Sequence, residues 1–87
     1  MSQQLGFMPQ HQFHVLINHA NREHRLTVLP NSQGRFRVIE QGEVLGEVDF
    51  TPQQKCVRKN GRIKQSVVNQ LEQHIKNYYS RFKGLFA

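Results

Sequence analysis

One change of period constrains this chain more than anything else in it. Between residues 13 and 50 apolar side chains recur at every second position; from about Ile63 they recur every three or four. Period two is the signature of a half-buried strand, and a period near 3.6 is that of an amphipathic helix. Residues 13–17 place Phe13, Val15 and Ile17 on one side, and residues 24–29 do the same with Leu26 and Val28. Residues 35–40 add Phe36 and Val38, and residues 44–50 add Val44, Val48 and Phe50. A short fifth strand is read over residues 55–59, after Pro52. Turn-forming residues at 30–34 and 41–43 separate the strands, and Asn60-Gly61 breaks the last one. The helical stripe then runs Ile63, Val67, Leu71, Ile75, Tyr78 and Phe82, widened by Val68 and Tyr79, with Gly84 as its stop. The order implies an α+β domain. Four or five antiparallel strands, arranged as two hairpins, carry one long C-terminal helix on one face. Residues 1–12, rich in Gln and holding Gly6 and Pro9, read as a flexible leader to a single domain over 13–87.

Register follows from keeping the apolar sides continuous, because a one-residue slip sends every side chain to the other face. A first hairpin turning at Asn21-Arg22 pairs Ile17 with Leu26 and Val15 with Val28, and sets His19 opposite His24. In the second hairpin Phe36, Val38, Val48 and Phe50 are all even-numbered, so the loop must hold an odd number of residues. A three-residue loop, 41–43, puts Phe36 opposite Val48. It also puts Arg37 opposite Glu47 and Arg35 opposite Asp49 on the other face, where opposite charges stabilise by about 0.2–1 kcal/mol per pair. Arg35 and Arg37 are therefore read as locally paired rather than as ligand-binding groups. The face away from the helix carries His14, Leu16, Thr27, Leu29, Arg37, Ile39, Leu45 and Glu47. Its four aliphatics, Leu16, Leu29, Ile39 and Leu45, form a candidate interface for a second copy or another protein. Leu5 to Met8, or Leu85 and Phe86, are the intramolecular candidates for covering it.

Charge divides the chain in two. Residues 1–54 hold four cations against five acids, and residues 55–87 hold eight against one. The whole formal charge of +6 thus sits in the last third, and Lys55, Arg58, Lys59, Arg62 and Lys64 fall within ten residues. Concentrated charge of one sign attracts polyanions. Lys and Arg bind phosphate by charge and by forked hydrogen bonds, and Asn60-Gly61 lets backbone amides approach an anion at the helix start. These five residues are the candidate nucleic-acid-binding set. The aromatics Phe13, Phe36 and Phe50 all point to the helix side, which leaves no stacking platform on the open face. Binding of that kind would read the phosphate backbone and not the bases. The competing reading is an interaction or homodimerisation module with no nucleic-acid role.

Other classes find little support. There is no Walker loop, GxGxxG, KH-type GxxG or zinc-finger spacing, and so no cofactor is expected. A metal site wants three or four converging ligands, whereas the His19–His24 pair supplies two and His11, His14 and His74 lie apart, so none is expected. Ser66, Ser80, Thr27 and Cys56 have no partner motif, so the chain is read as a non-enzyme. Residues 1–12 lack the basic and apolar regions of a signal peptide, and no apolar run approaches the ~20 residues of a membrane helix. The tail 76–86 mixes aromatics with cations, but Tyr78 and Phe82 continue the stripe that the sheet needs. One cysteine allows no internal disulfide, which suits a cytoplasmic setting. The cations around Cys56 favour its thiolate, although an incidental structural thiol is the simpler role. The element order over 13–83, strands then a helix with cations near its start, is similar to PUR-repeat and similar single-stranded nucleic-acid-binding folds. That resemblance implies a homodimer and sheet-side binding of nucleic acid.

Overall fold

A computed structural model of the protein describes residues 12–31 and 34–86, the last six as helix backbone. Five strands precede one helix: β1 (Phe13–His19), β2 (Arg22–Pro30), β3 (Arg35–Glu40), β4 (Glu43–Phe50), β5 (Cys56–Gly61) and α1 (Gln65–Phe86). The strands form one antiparallel meander in the order β1-β2-β3-β4-β5, with the helix packed against it. The expected α+β architecture is the observed one, with the fifth strand beginning one residue later and ending two later than expected. The helix continues through Gly84; one glycine costs about 1 kcal/mol in a helix, too little to end it by itself. The leader up to residue 11, the covering role of Leu5 to Met8, and the side chains of Phe82, Leu85 and Phe86 lie outside the described residues.

The core is the even side of β2–β4 and the odd side of β1, facing α1. Val28, Phe36, Val38 and Val48 are fully buried, together with Leu71 and Ile75 of the helix. Val15, Ile17, Leu26, Cys56, Ile63, Val67 and Val68 complete the cluster. Aromatics close its far end: Phe13 stacks on Tyr78 at 3.9 Å, and Tyr79 lies against Phe36 and Phe50.

Both hairpins depart from the expected turns in an instructive way. Each uses a two-residue turn whose central residues have positive φ: Ala20 and Asn21 in the first, Gln41 and Gly42 in the second. Turns of this hand match the natural twist of the flanking strands, which outweighs the steric cost at Ala20 and Gln41. In the first hairpin His19 pairs with Arg22, so Ile17 faces His24, and Val15 faces Leu26. The pairing is displaced by two from the expectation. Two is the strand period, so every face assignment survives, and His19 and His24 become diagonal neighbours 6.2 Å apart. In the second hairpin Phe36 does face Val48, Arg37 faces Glu47 and Arg35 faces Asp49. The odd count comes from a bulge instead of a three-residue loop: Ile39 pairs with Val44 and Val38 with Gly46, leaving Leu45 as the extra residue. The bulge exchanges two side chains. Val44, expected in the core, is 54% exposed on the outer face, and Leu45, expected on that outer face, packs against the core.

The helix bonds both edges of the sheet. The Gln70 carboxamide acts as a surrogate strand for β1, its Oε1 accepting from Asn18 N at 2.9 Å and its Nε2 donating to Asn18 O at 2.8 Å. His74 Nε2 lies 3.2 Å from Leu16 O on the same strand. At the opposite edge Cys56 N of β5 donates to Glu72 Oε1 at 2.9 Å. Five flat strands would span about 19 Å at ~4.8 Å per spacing. A helix about 10 Å across cannot bond both edges of such a sheet. The sheet therefore curls into a half-barrel, and α1 fills the gap between β1 and β5.

The curl is helped by two bulges, since a bulge bends its strand and raises the local twist. One is Leu45; the other is Lys59, the extra residue where Val48 pairs with Arg58 and Glu47 with Asn60. Beyond the second bulge Gly46 pairs with Gly61, and the backbones meet so closely that neither tolerates a side chain. A Cβ on Gly46 would fall 2.9 Å from Gly61 Cα, and one on Gly61 would collide with Leu45 O and Gly46 Cα. Gly61 also has a φ of +87°. Gly61→Ala is expected to destabilise the protein by at least ~2 kcal/mol through left-handed strain plus backbone collision. Urea unfolding checks this, and a change below ~0.5 kcal/mol would contradict the close approach.

Candidate nucleic-acid interface

Arg58 and Lys59 lie on β5, the last strand of the sheet, Lys55 immediately before it, and Arg62 and Lys64 on its connection to α1. Lys55, Arg58, Lys59, Arg62 and Lys64 are all exposed. At ~3.3 Å per residue the six residues of β5 alone extend about 20 Å. The set is held in place by backbone bonds at both ends: Thr51 N donates to Lys55 O at 2.8 Å, and Arg62 N to Leu45 O at 2.9 Å. Lys64 stands at the cap of the helix, its carbonyl accepting from Val67 N and Val68 N. A lysine there offers no capping oxygen, and the first turn of α1 contains no acid, so the positive end of the helix dipole is left uncompensated.

The five are not equivalent, and two have partners that the sequence did not reveal. Arg58 faces the helix side, where its guanidinium donates to Ile63 O at 2.7 Å and ties β5 to the turn before α1. Lys59, displaced by the bulge, reaches the outer face with its Nζ 3.9 Å from Asp49 Oδ2. Asp49 already accepts from Arg35 Nε at 3.0 Å, so the Lys59 contact is the looser of the two. Exposed pairs of this kind contribute about 0–1 kcal/mol. Lys55, Arg62 and Lys64 have no carboxylate within ion-pair distance among the described residues. On α1, Lys76 is held by Glu72 at 3.7 Å.

The outer face holds Leu16, Leu29 and Ile39 as expected, without Leu45. Leu16 is 53% exposed, and Val44 and Val57, at 54% and 50%, are the exposed aliphatics that alternation alone did not place there. Between them run the ion pairs Arg35–Asp49 and Arg37–Glu47, the latter at 3.7 Å, with Asn60 Nδ2 donating to Glu47 at 3.0 Å. The charged rows separate Val57 from Ile39 and Val44, which face each other directly across β3 and β4.

Cys56 is buried, as suits the structural thiol that was the simpler expectation, and its cationic neighbours do not activate it. It lies under the helix, 8% exposed, and its thiol is pushed up to about 12, first by burial and then by the carboxylates of Glu72 and Asp49. The histidines pair rather than cluster: His24 Nδ1 meets Glu40 Oε2 at 2.8 Å, and His14 Nδ1 meets Thr27 Oγ1 at 3.1 Å. Among the described residues no three His, Cys, Asp or Glu side chains converge as metal ligands, and no helix is long and apolar enough to cross a membrane.

A cleft of 210 Å³ opens where α1 begins, between the helix start and the β1–β2 hairpin. Its floor includes Leu26, Leu45, Ile63 and Val67, and its rim carries His19, His24, Arg62 and Lys64. The strand pattern and charge run named every one of these except the inward Leu45, but nothing in the sequence placed them around one opening. Comparison with protein-family models, curated proteins and solved structures finds no match to this chain.

The Cys56 environment gives a check on the local structure. The native thiol is expected to resist iodoacetamide at pH 8 and to react only as fast as the protein unfolds. Because its folded value lies above the ordinary 9.0, its stabilising effect is complete below pH 9 and is lost as pH rises through about 12. Glu72 works at the other end of the scale: the bond from Cys56 N holds its carboxyl below the ordinary value, helped by Lys76 and Lys55 and opposed by burial. Its contribution is present above the ordinary carboxylate range and lost as pH falls through the folded value. Labelling of native Cys56 at the rate of a free peptide thiol would contradict this placement.

Proposed function

We propose that the protein binds nucleic acid through its phosphate backbone, without sequence preference, along β5 and the β5–α1 connection. The observation that carries this reading is the array of five exposed cations over residues 55–64, of which only Lys59 lies within ion-pair distance of a carboxylate among the described residues. Arg35 and Arg37, the cations of β3, are engaged by Asp49 and Glu47. Phosphate contacts position a protein on a strand, whereas base contacts specify sequence. Lysines and arginines on an edge strand and a helix cap follow a backbone, and the helix dipole adds to their field. The described aromatics sit in or against the core, so base stacking, the usual source of base preference on single strands, has no platform on the outer face. The site lies along the sheet edge rather than on the sheet face that the PUR-repeat resemblance implies. A lysine- and arginine-lined edge also discourages pairing with a second basic edge.

A second reading, an interface for another copy or another protein, rests on Leu16, Val44 and Val57 standing half open on the outer face beside Leu29 and Ile39. Sedimentation separates the two: a monomer at micromolar concentration that still binds oligonucleotide leaves the interface reading without support.

Three to five phosphate contacts give an expected slope of log affinity against log salt between about −2 and −3.5 on single strands. On duplex the expected range is about −2.7 to −4.5. Lys55→Glu/Arg62→Glu/Lys64→Glu is expected to abolish binding with little change in stability, since all three side chains are exposed. Arg58 is left intact because its bond to Ile63 O supports the fold. Fluorescence anisotropy with mixed-sequence oligonucleotides at low salt is the measurement. No binding by the parent, or equal binding by the triple variant, would overturn the proposal.

A further inference from the structure

We propose that the cleft at the open end of the half-barrel binds a small organic anion with a flat apolar body, such as a single-ring carboxylate. The inference concerns a separate ligand, although its rim shares Arg62 and Lys64 with the nucleic-acid strip.

Three features of the cleft converge on that chemistry. The first is the floor. Leu26, Ile63 and Val67 present buried apolar surface, and the β4 bulge turns Leu45 inward to form one wall, half-buried. A bare phosphate or sulfate would lose its water against these side chains with nothing to replace it, which is costly. A ligand with an apolar body instead removes its own apolar surface, and the open part of Leu45, from water.

The second feature is the charge of the rim. Arg62 and Lys64 stand at the mouth, exposed, with no carboxylate at ion-pair distance among the described residues. Glu40, the one acid lining the cleft among the described residues, is engaged with His24 Nδ1 at 2.8 Å. The helix begins at this rim with a lysine at its cap and no acid in its first turn. The cleft lining thus carries two cations against one carboxylate, and that carboxylate is held by its hydrogen bond to His24.

The third feature is shape. His19 and His24 flank the mouth with their rings 6.2 Å apart, tilted by 52°. Two flat rings beside an apolar floor suit a flat ligand. The volume of 210 Å³ admits a single ring and is below the ~300–1,000 Å³ of drug-sized pockets. For so small a ligand a dissociation constant on the order of 1 mM is expected.

The test uses the full-length, 15N-labelled chain titrated separately with benzoate, benzyl alcohol and inorganic phosphate. Benzoate is expected to shift the amides of Leu26, Leu45, Ile63 and Val67 saturably. Benzyl alcohol should bind at least about tenfold more weakly, and phosphate should leave those four amides unmoved. Arg62→Gln/Lys64→Gln is expected to weaken benzoate about tenfold, whereas Lys55→Gln/Lys59→Gln, which weakens oligonucleotide binding, should leave benzoate unchanged. The proposal is overturned if benzoate produces no saturable shift at these amides or if benzyl alcohol binds as well. It is equally overturned if phosphate moves the same amides, which would mean a plain anion site, or if Arg62→Gln/Lys64→Gln binds benzoate like the parent. The comparison of benzoate with benzyl alcohol is made on the parent chain, so its result does not depend on how any variant folds.

Discussion

The structure depends on one helix satisfying two sheet edges at once. An open antiparallel sheet exposes a row of unpaired N–H and C=O groups at each side, and those groups invite pairing with other chains. Here Gln70 pairs with both backbone groups of Asn18, His74 meets Leu16 O, and Glu72 accepts from Cys56 N. Each bond contributes only about 0.5–1.5 kcal/mol; those on β1 lie at the surface, whereas the Cys56–Glu72 bond is part-buried, so leaving Cys56 N unpaired would cost the most. The three helix residues sit at positions 70, 72 and 74, interleaved with the apolar stripe of Leu71 and Ile75. The same two turns thus fill the core from their centre and bond the sheet from their two sides. Spanning both edges requires curvature, and curvature explains the other irregular features: the bulges at Leu45 and Lys59 and the side-chain-free contact of Gly46 with Gly61.

That curvature also arranges the surface. By drawing β5 toward the helix it sets residues 55–64 as a continuous border, with Arg58 bound to the Ile63 carbonyl at the junction. The helix lies between β1 and β5, first bonding β1 at Gln70, and short of that residue a cleft opens between the helix start and the β1–β2 hairpin. The basic border and the apolar-floored cleft are consequences of one geometry. The outer surface differs in kind: Ile39 and Val44 face each other there, and the Arg35–Asp49 and Arg37–Glu47 pairs stand between them and Val57.

Much of this was legible in the residues. The period change located the strands and the helix because burial on one side dictates side-chain spacing. Parity placed Phe36 opposite Val48 and Arg37 opposite Glu47 even though the turn itself is shorter than parity implied. A displacement by two in the first hairpin was invisible to the same argument, since period-two patterns are unchanged by it. What remained hidden was whatever a bulge alters. Alternation assigned Val44 to the core and Leu45 to the outer face, and one extra residue reversed them. Likewise, the cations around Cys56 pointed toward a favoured thiolate while a structural thiol was the simpler expectation; sequence proximity to Lys55 and Arg58 says nothing of burial or of Glu72, sixteen residues away. The cleft was unreadable for a related reason: its lining comes from four strands and the start of the helix.

Native-state hydrogen exchange of the backbone amides tests the double edge closure most directly. Edge-strand amides that point to solvent exchange through small local fluctuations, whereas core amides wait for global opening. The Asn18 and Cys56 amides are expected to exchange with the same opening free energy as those of Val28 and Val38, and Gln70→Ala is expected to release Asn18 while leaving Val38 protected relative to it. Fast exchange at Asn18 and Cys56 in the parent protein, with Val28 and Val38 still protected, would mean that the helix rests on the sheet without closing it, and would contradict the double closure.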